Sequence, residues 1–109
     1  MADENQELAF EIVEIAKSSG KIKKGTNEVT KMIEKQKAKL VIVAADVTPA
    51  EIVMHLPLLA KEKDIPCITV GTKEELGAAA GLSLGTSSLA IIDEGDAKTQ
   101  LKTITESLK

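Results

Sequence analysis

The sequence has no Trp, no Tyr, a single Phe (Phe10) and no Arg among its 109 residues. Each absence closes off a class of function. Without aromatic side chains there is no stacking platform for single-stranded bases, which argues against RRM-like sheets and oligonucleotide-binding barrels. Without Arg there is no bidentate fork to read guanine, so all positive charge is lysine. The lone Cys67 permits neither an internal disulfide nor a thiolate metal centre. Its surroundings, Ile65-Pro66-Cys67-Ile68-Thr69-Val70, are those of a small buried hydrophobe in a reducing compartment. The lone His55, between Met54 and Leu56, has no Ser or Cys partner in a hydrolase motif and reads as a satisfied structural histidine before a catalytic base. No apolar run approaches the ~20 residues of a membrane span. The nearest, Leu76 to Ile92, is broken by Gly77, Gly81 and Gly85. The acidic start Met1-Ala2-Asp3-Glu4-Asn5 has neither the basic nor the apolar region of a secretory leader. The expectation is one soluble cytoplasmic domain over residues 1–109, monomeric when free, with no cofactor, no metal and no catalytic residues.

The charge that is present is unevenly spread. The net charge is −3. Between Lys17 and Lys39, however, eight Lys (17, 21, 23, 24, 31, 35, 37 and 39) face only Glu28 and Glu34, a local balance of +6, while the rest of the chain stands at −9. That asymmetry is either the footprint of a basic patch for nucleic acid or a solvated lysine-rich face.

Periodicity predicts alternating helices and strands. Leu8, Ile12, Val13, Ile15 and Ala16 recur at helical spacing up to Ser18-Ser19-Gly20. Lys21 to Gly25 reads as a short link or edge strand. Thr26 is an expected N-cap for a second helix with an inner stripe of Val29, Met32, Ile33 and Gln36, ending near Lys37. Leu40-Val41-Ile42-Val43-Ala44 is the pattern of a strand buried on both faces. Asp46-Val47-Thr48-Pro49 reads as a loop, with Pro49 opening a third helix. That helix is expected to break or restart near Pro57. Ile65 to Val70 is a strand, and Thr72-Lys73-Glu74-Glu75 opens a helix with a capping box, closed by Gly81. Leu82 to Ser88 is a loop, Leu89 to Ile92 a strand, and Ala97 to Leu108 an amphipathic helix. The implied fold is α/β, a three-layer α/β/α sandwich around a small mixed four-stranded sheet.

The chemistry concentrates in Gly25-Thr26-Asn27-Glu28-Val29-Thr30-Lys31. On a helix, Asn27 and Lys31 stack on one face with Glu28 beside them, opposite the Val29 and Ile33 stripe. A helix N-terminus with Lys21, Lys23 and Lys24 nearby attracts phosphate. A carboxylate among phosphates is repulsive unless it accepts hydrogen bonds from a base edge. Guanine N1 and N2 donate, Lys31 can donate to O6 or N7, and Asn27 does both. That trio suits guanines exposed by non-Watson–Crick pairing in bent RNA. The ordinary alternative is an acidic residue favoured by the helix dipole and paired with Lys31. Two further alternatives are a nucleotide-binding protein or enzyme using Gly77, Gly81 and Gly85, and a protein-binding adaptor using the acidic surface. The glycines match neither standard phosphate-loop pattern.

Lys21-Ile-Lys-Lys-Gly-Thr-Asn-Glu-Val-Thr-Lys31, Ala44-Ala-Asp-Val-Thr-Pro-Ala-Glu-Ile-Val-Met-His-Leu-Pro-Leu-Leu59 and Leu76-Gly-Ala-Ala-Ala-Gly-Leu82 together resemble the archaeal large-subunit ribosomal protein family "L seven Ae" over nearly the whole chain. The resemblance implies a non-catalytic protein that binds kink-turns, RNA bends flanked by sheared G·A pairs. The implied settings are rRNA in the ribosome, box C/D and H/ACA guide RNAs, and RNase P RNA, with other ribosomal or guide-particle proteins as partners. Carried over, Asn27, Glu28 and Lys31 would read the sheared-pair guanines, while Lys24, Gly25 and Thr26 would lie against the RNA backbone. Lys73 would approach a phosphate, and Ile52 with the Leu82, Ser83 and Leu84 loop would support an extruded nucleotide. Archaeal members usually have Leu-Glu-Val-Pro-Ala-Ala where this chain has Leu82-Ser83-Leu84-Gly85-Thr86-Ser87. A loop without the Pro and with an added Gly is expected to be more flexible, which bears on RNA selectivity and partner docking.

Overall fold

A computed structural model of the chain describes the backbone of residues 2–46, 51–83 and 85–108, and the side chains of 6–46, 54–83 and 85–107. The expected helix start at Pro49, and Leu84 and the Ile52 side chain of the expected site, lie outside the described residues. The order is α1 (Ala2–Ser19), β1 (Lys21–Lys24), α2 (Thr26–Glu34), β2 (Leu40–Ala44), α3 (Glu51–Glu62), β3 (Cys67–Val70), α4 (Lys73–Ala79), β4 (Ser88–Asp93) and α5 (Lys98–Leu108).

The sheet runs β1-β4-β2-β3. β2 is parallel to β3, and β4 is antiparallel to both β1 and β2, so the sheet is mixed. Alternation in the central strands feeds two cores. Leu40, Ile42, Leu89 and Ile91 point to one face, where they meet Ala9, Ile12, Val13 and Ala16 of α1, Leu76 of α4 and Ile104 of α5. Val41, Val43 and Ala90 point to the other, against Val29 and Ile33 of α2 and Leu56 and Ala60 of α3. Burial on both faces is why β2 carries five consecutive apolar residues. The expected α/β/α sandwich is the observed one. β1 is an edge strand, and its exposed Lys21, Lys23 and Lys24 also discourage pairing with another chain.

Three helices end alike, with the N–H two residues past the cap bonding a carbonyl five residues back: Lys37 to Met32 (2.9 Å), Ile65 to Ala60 (2.8 Å) and Leu82 to Gly77 (2.8 Å). This Schellman closure needs a left-handed residue. Gly81 (φ 76°) supplies it for α4, whereas Gln36 (φ 57°) and Asp64 (φ 62°) supply it for α2 and α3. The reversal at Gln36 corrects two expectations. α2 stops at Glu34 rather than near Lys37, and Gln36 is exposed rather than on the inner stripe. The chain turns there so that Ala38 can be buried and Leu40 can enter the sheet.

The expected break at Pro57 does not occur: α3 runs through it. A mid-helix Pro loses one hydrogen bond and crowds the preceding turn, at about 3 kcal/mol. Flanking Leu56 and Ala60 are fully buried, and burial of a Leu side chain returns roughly 1.5–3 kcal/mol. Packing on both sides of Pro57 therefore offsets much of the cost.

Candidate nucleic-acid interface

Strand register places the candidate residues at one end of the sheet. Lys24 lies opposite Leu89, Val43 opposite Ser88, and Ala44 opposite Val70. The start of α2, the turn after β2, the start of α4 and the loop before β4 therefore gather at that end.

α2 begins differently from expectation. Its N-cap is Gly25 (φ 91°, ψ 144°), which makes no side-chain cap, and Thr26 is the first helical residue. The chain leaves β1 with Gly25 N–H donating to the Ser88 carbonyl at 3.1 Å, and then the Gly25 carbonyl accepts from Val29 N–H at 2.9 Å. Those two bonds hold Gly25 in an extended positive-φ conformation that is almost exclusive to glycine. The helix thus starts one residue earlier than a Thr26 cap would place it, and the Thr26 hydroxyl is not a cap. The consequence is chemical: no side chain occupies the first-turn N–H groups, which remain open to an anion.

The exposed face carries the predicted trio. Asn27 and Lys31 are exposed and Glu28 is half-buried, opposite the buried Val29 and Ile33. Among the described residues, Asn27 makes no side-chain hydrogen bond. Lys31 Nζ lies 3.8 Å from Glu28 Oε1, with 60% and 47% of the two side chains exposed. The ordinary ion pair anticipated from the sequence thus exists. An exposed pair of this kind contributes only about 0.2–1 kcal/mol, so a ligand can separate it cheaply.

The other expected residues are distributed unevenly. Lys73 is exposed at the start of α4, its N–H donating to Asp46 Oδ1 at 2.8 Å and its carbonyl accepting from Thr86 N–H at 3.0 Å. Ser83 is exposed. Leu82 is half-buried and packs against the α1 side of the sheet. The lysine-rich run divides. Lys24 and Lys31 accompany the start of α2, whereas Lys35, Lys37 and Lys39 follow its C-terminus at the opposite end of the sheet. Lys39 is moreover committed to the buried Glu94, with bonds of 3.0 and 3.2 Å.

Sequence reasoning missed four supports of this surface. Ser87 hydrogen-bonds Thr26 through their hydroxyls at 3.1 Å, and Asp46 caps the start of α4. Thr30 donates to the Thr26 carbonyl at 2.8 Å and lies 3.3 Å from His55 Nε2. Since the one Thr30 proton is used by the carbonyl, His55 is the donor and carries its proton on Nε2. Its role is to join α3 to α2. Ser88 Oγ is fully buried and without a partner among the described residues. Apart from the Thr30 bond to the Thr26 carbonyl within α2, the tethers run between residues far apart in sequence, and no local pattern signals them.

Burial pushes the Cys67 thiol up to about 12, so it is protonated and unreactive near neutrality. A shallow cleft of about 480 Å³ lies away from α2, lined by residues that include Pro57, Lys61, Ile65, Cys67 and Thr105. Among the described residues, no group of His, Cys, Asp or Glu is arranged to hold a metal ion, and no helix is long and apolar enough to cross a membrane.

Comparison with known proteins bears on the family and the fold. The large ribosomal subunit protein eL8 of Methanobrevibacter smithii is 54% identical over 100 residues, covering 92% of this chain and 81% of that protein. The solved structure of the Giardia lamblia 15.5kD RNA binding protein superposes with a TM-score of 0.91 at 34% identity, covering 96% of this chain and 88% of that one. Residues 9–101 match the model of the ribosomal protein L7Ae/L30e/S12e/Gadd45 family, and the chain belongs to that family.

Proposed function

We propose that this chain, which as a member of a ribosomal-protein family is not an enzyme, acts over its whole length as one kink-turn RNA-binding domain. The observation that carries the reading is the uncapped N-terminus of α2 beside the outward-facing Asn27, Glu28 and Lys31. Phosphates of a sharply bent backbone meet the open N–H groups, with Lys24, Gly25 and Thr26 alongside and Lys73 opposite. Glu28 and Asn27 accept from, and Lys31 donates to, the edges of guanines in sheared G·A pairs. Ile52 and the Leu82 to Leu84 loop flank an extruded nucleotide. Binding favours the kinked over the open RNA and so shifts the RNA population.

The relatives' names extend the proposal to cellular setting. Similarity to a large-subunit ribosomal protein supports rRNA as a target and the cytoplasmic ribosome as a location. Box C/D and H/ACA guide RNAs and RNase P RNA are further proposed targets, with other ribosomal or guide-particle proteins as neighbours and the free protein monomeric.

The test is a gel-shift titration with a kink-turn RNA and with the same RNA carrying Watson–Crick pairs in place of its G·A pairs. Tight binding to the first alone is expected. Removing the Glu28 carboxylate forfeits hydrogen bonds to a charged group, about 1.5–3 kcal/mol, so Glu28→Ala should weaken kinked-RNA binding by roughly 10- to 100-fold. Equal affinity of the wild type for both RNAs, or equal losses on both for the variant, refutes base reading.

A further inference from the structure

The loop before β4 is tied down at each residue from Thr86 to Ser88. At Gly85 an added Cβ would lie 3.0 Å from Lys73 Cγ and 3.1 Å from its backbone carbonyl atoms, so the missing side chain allows close approach to α4. Thr86 donates its N–H to the Lys73 carbonyl and its hydroxyl to the Ser88 carbonyl, both at 3.0 Å. The Ser87 carbonyl accepts from Ala44 N–H at 2.9 Å, and the Ser88 carbonyl accepts from Gly25 N–H at 3.1 Å. Lys73 is held from behind by Asp46. The expected looseness of a Gly-containing loop without Pro is thus opposed by links to three other segments.

Among these links, only the half-buried Thr26–Ser87 bond joins two side chains, from residues 61 positions apart. Thr26 is free to make it because Gly25, not Thr26, is the N-cap. We infer that Ser87 is a positioning residue for RNA binding. Its hydroxyl holds the first turn of α2 against the loop and thereby sets the separation between the open α2 amides and the Lys73 side chain, so that both engage one bent RNA backbone. The inference rests on the kink-turn reading above and adds to it a determinant outside the base-reading trio. A flat duplex does not need the two phosphate-binding points in one fixed geometry; a tight bend does.

The experiment measures affinity for the kink-turn RNA and its Watson–Crick control over a range of salt, for the wild type, Ser87→Ala, Ser87→Thr, Lys73→Ala and Ser87→Ala/Lys73→Ala. Losing one neutral hydrogen bond should weaken kinked-RNA binding about 3- to 10-fold while duplex binding is unchanged. Ser87→Thr keeps the hydroxyl and should stay within about twofold of wild type. Disengaging Lys73 removes one phosphate contact, so the slope of log K against log salt should fall by about 0.7–0.9 in Ser87→Ala, as in Lys73→Ala. The double variant should lose no more than Lys73→Ala alone. Wild-type affinity and slope in Ser87→Ala overturn the inference, whatever happens to the melting temperature, because a merely structural bond changes only the latter. If the wild type discriminates and Glu28→Ala abolishes discrimination while Ser87→Ala has no effect, only this inference falls. If the wild type binds both RNAs alike, the kink-turn reading falls and this inference with it.

Discussion

Replacing Gly25 by Ala isolates a backbone cost. A Cβ at Gly25 would meet nothing within 4 Å, so no clash adds to the penalty. What remains is φ 91°, ψ 144°, a conformation that L-residues avoid, at about 1–3 kcal/mol. The chain cannot relax locally, because Gly25 N–H is bonded to Ser88 and its carbonyl receives Val29 N–H. Either the strain is borne or both bonds are given up, and two lost backbone bonds cost a similar amount. For a domain of this size each kcal/mol lowers Tm by roughly 4–8 °C, so Gly25→Ala should melt about 4–24 °C below wild type. Calorimetry gives the Tm, and urea unfolding gives the free energy with an unchanged m-value. A Tm within about 2 °C of wild type would refute the argument that the positive φ is required at the entrance to α2. RNA-binding loss without Tm loss would instead locate the role of Gly25 in the open space itself, where a nucleic-acid backbone would lie.

Further consequences follow for the rest of the fold. Gln36 occupies a left-handed position at φ 57°, so Gln36→Gly should raise stability by about 0.5–1 kcal/mol in urea titration, since the strain relief exceeds the added unfolded-state entropy. Lys39→Met leaves the buried Glu94 carboxylate without its partner and should cost about 1–3 kcal/mol by the same titration, without altering RNA affinity if the proposed site at the opposite end of the sheet is the one used. Because the Cys67 thiol is raised by burial from 9.0 to about 12, the folded state holds its proton more tightly than the unfolded state. Its contribution to stability is full below pH 9 and is lost as pH rises toward 12. The measurement is urea stability against pH in that window for wild type and Cys67→Ala, the wild type falling more steeply, with slow thiol labelling of the native protein at pH 8 as a companion observation.

Much of the architecture was legible before any coordinates. The run Leu40 to Ala44 reports burial on both faces because every residue in it is apolar, and the spacing of Leu8, Ile12, Val13, Ile15 and Ala16 reports a helix packed on one side. The Asn27, Glu28 and Lys31 face followed from helical geometry alone, since i and i+4 positions must stack. The boundaries read less well. A propensity argument assigns the cap to Thr26 and a break to Pro57; yet Gly25 caps α2, held by a long-range bond to Ser88 and by the first helical bond from Val29, and α3 continues because Leu56 and Ala60 are buried around the proline.

Local sequence therefore determined which segments are helices or strands, which faces are apolar, and where a polar face interrupts the pattern, because these depend on periodicities of a few residues. Tertiary structure decided what that polar face keeps for company. It brought Ser87 to Thr26, Asp46 to Lys73 and His55 to Thr30, and it sent Lys35, Lys37 and Lys39 to the far end of the sheet. Hydrogen bonds between distant positions and the direction of a strand relative to its neighbours leave no periodic trace in a chain. They are settled only when the sheet order β1-β4-β2-β3 closes the two cores.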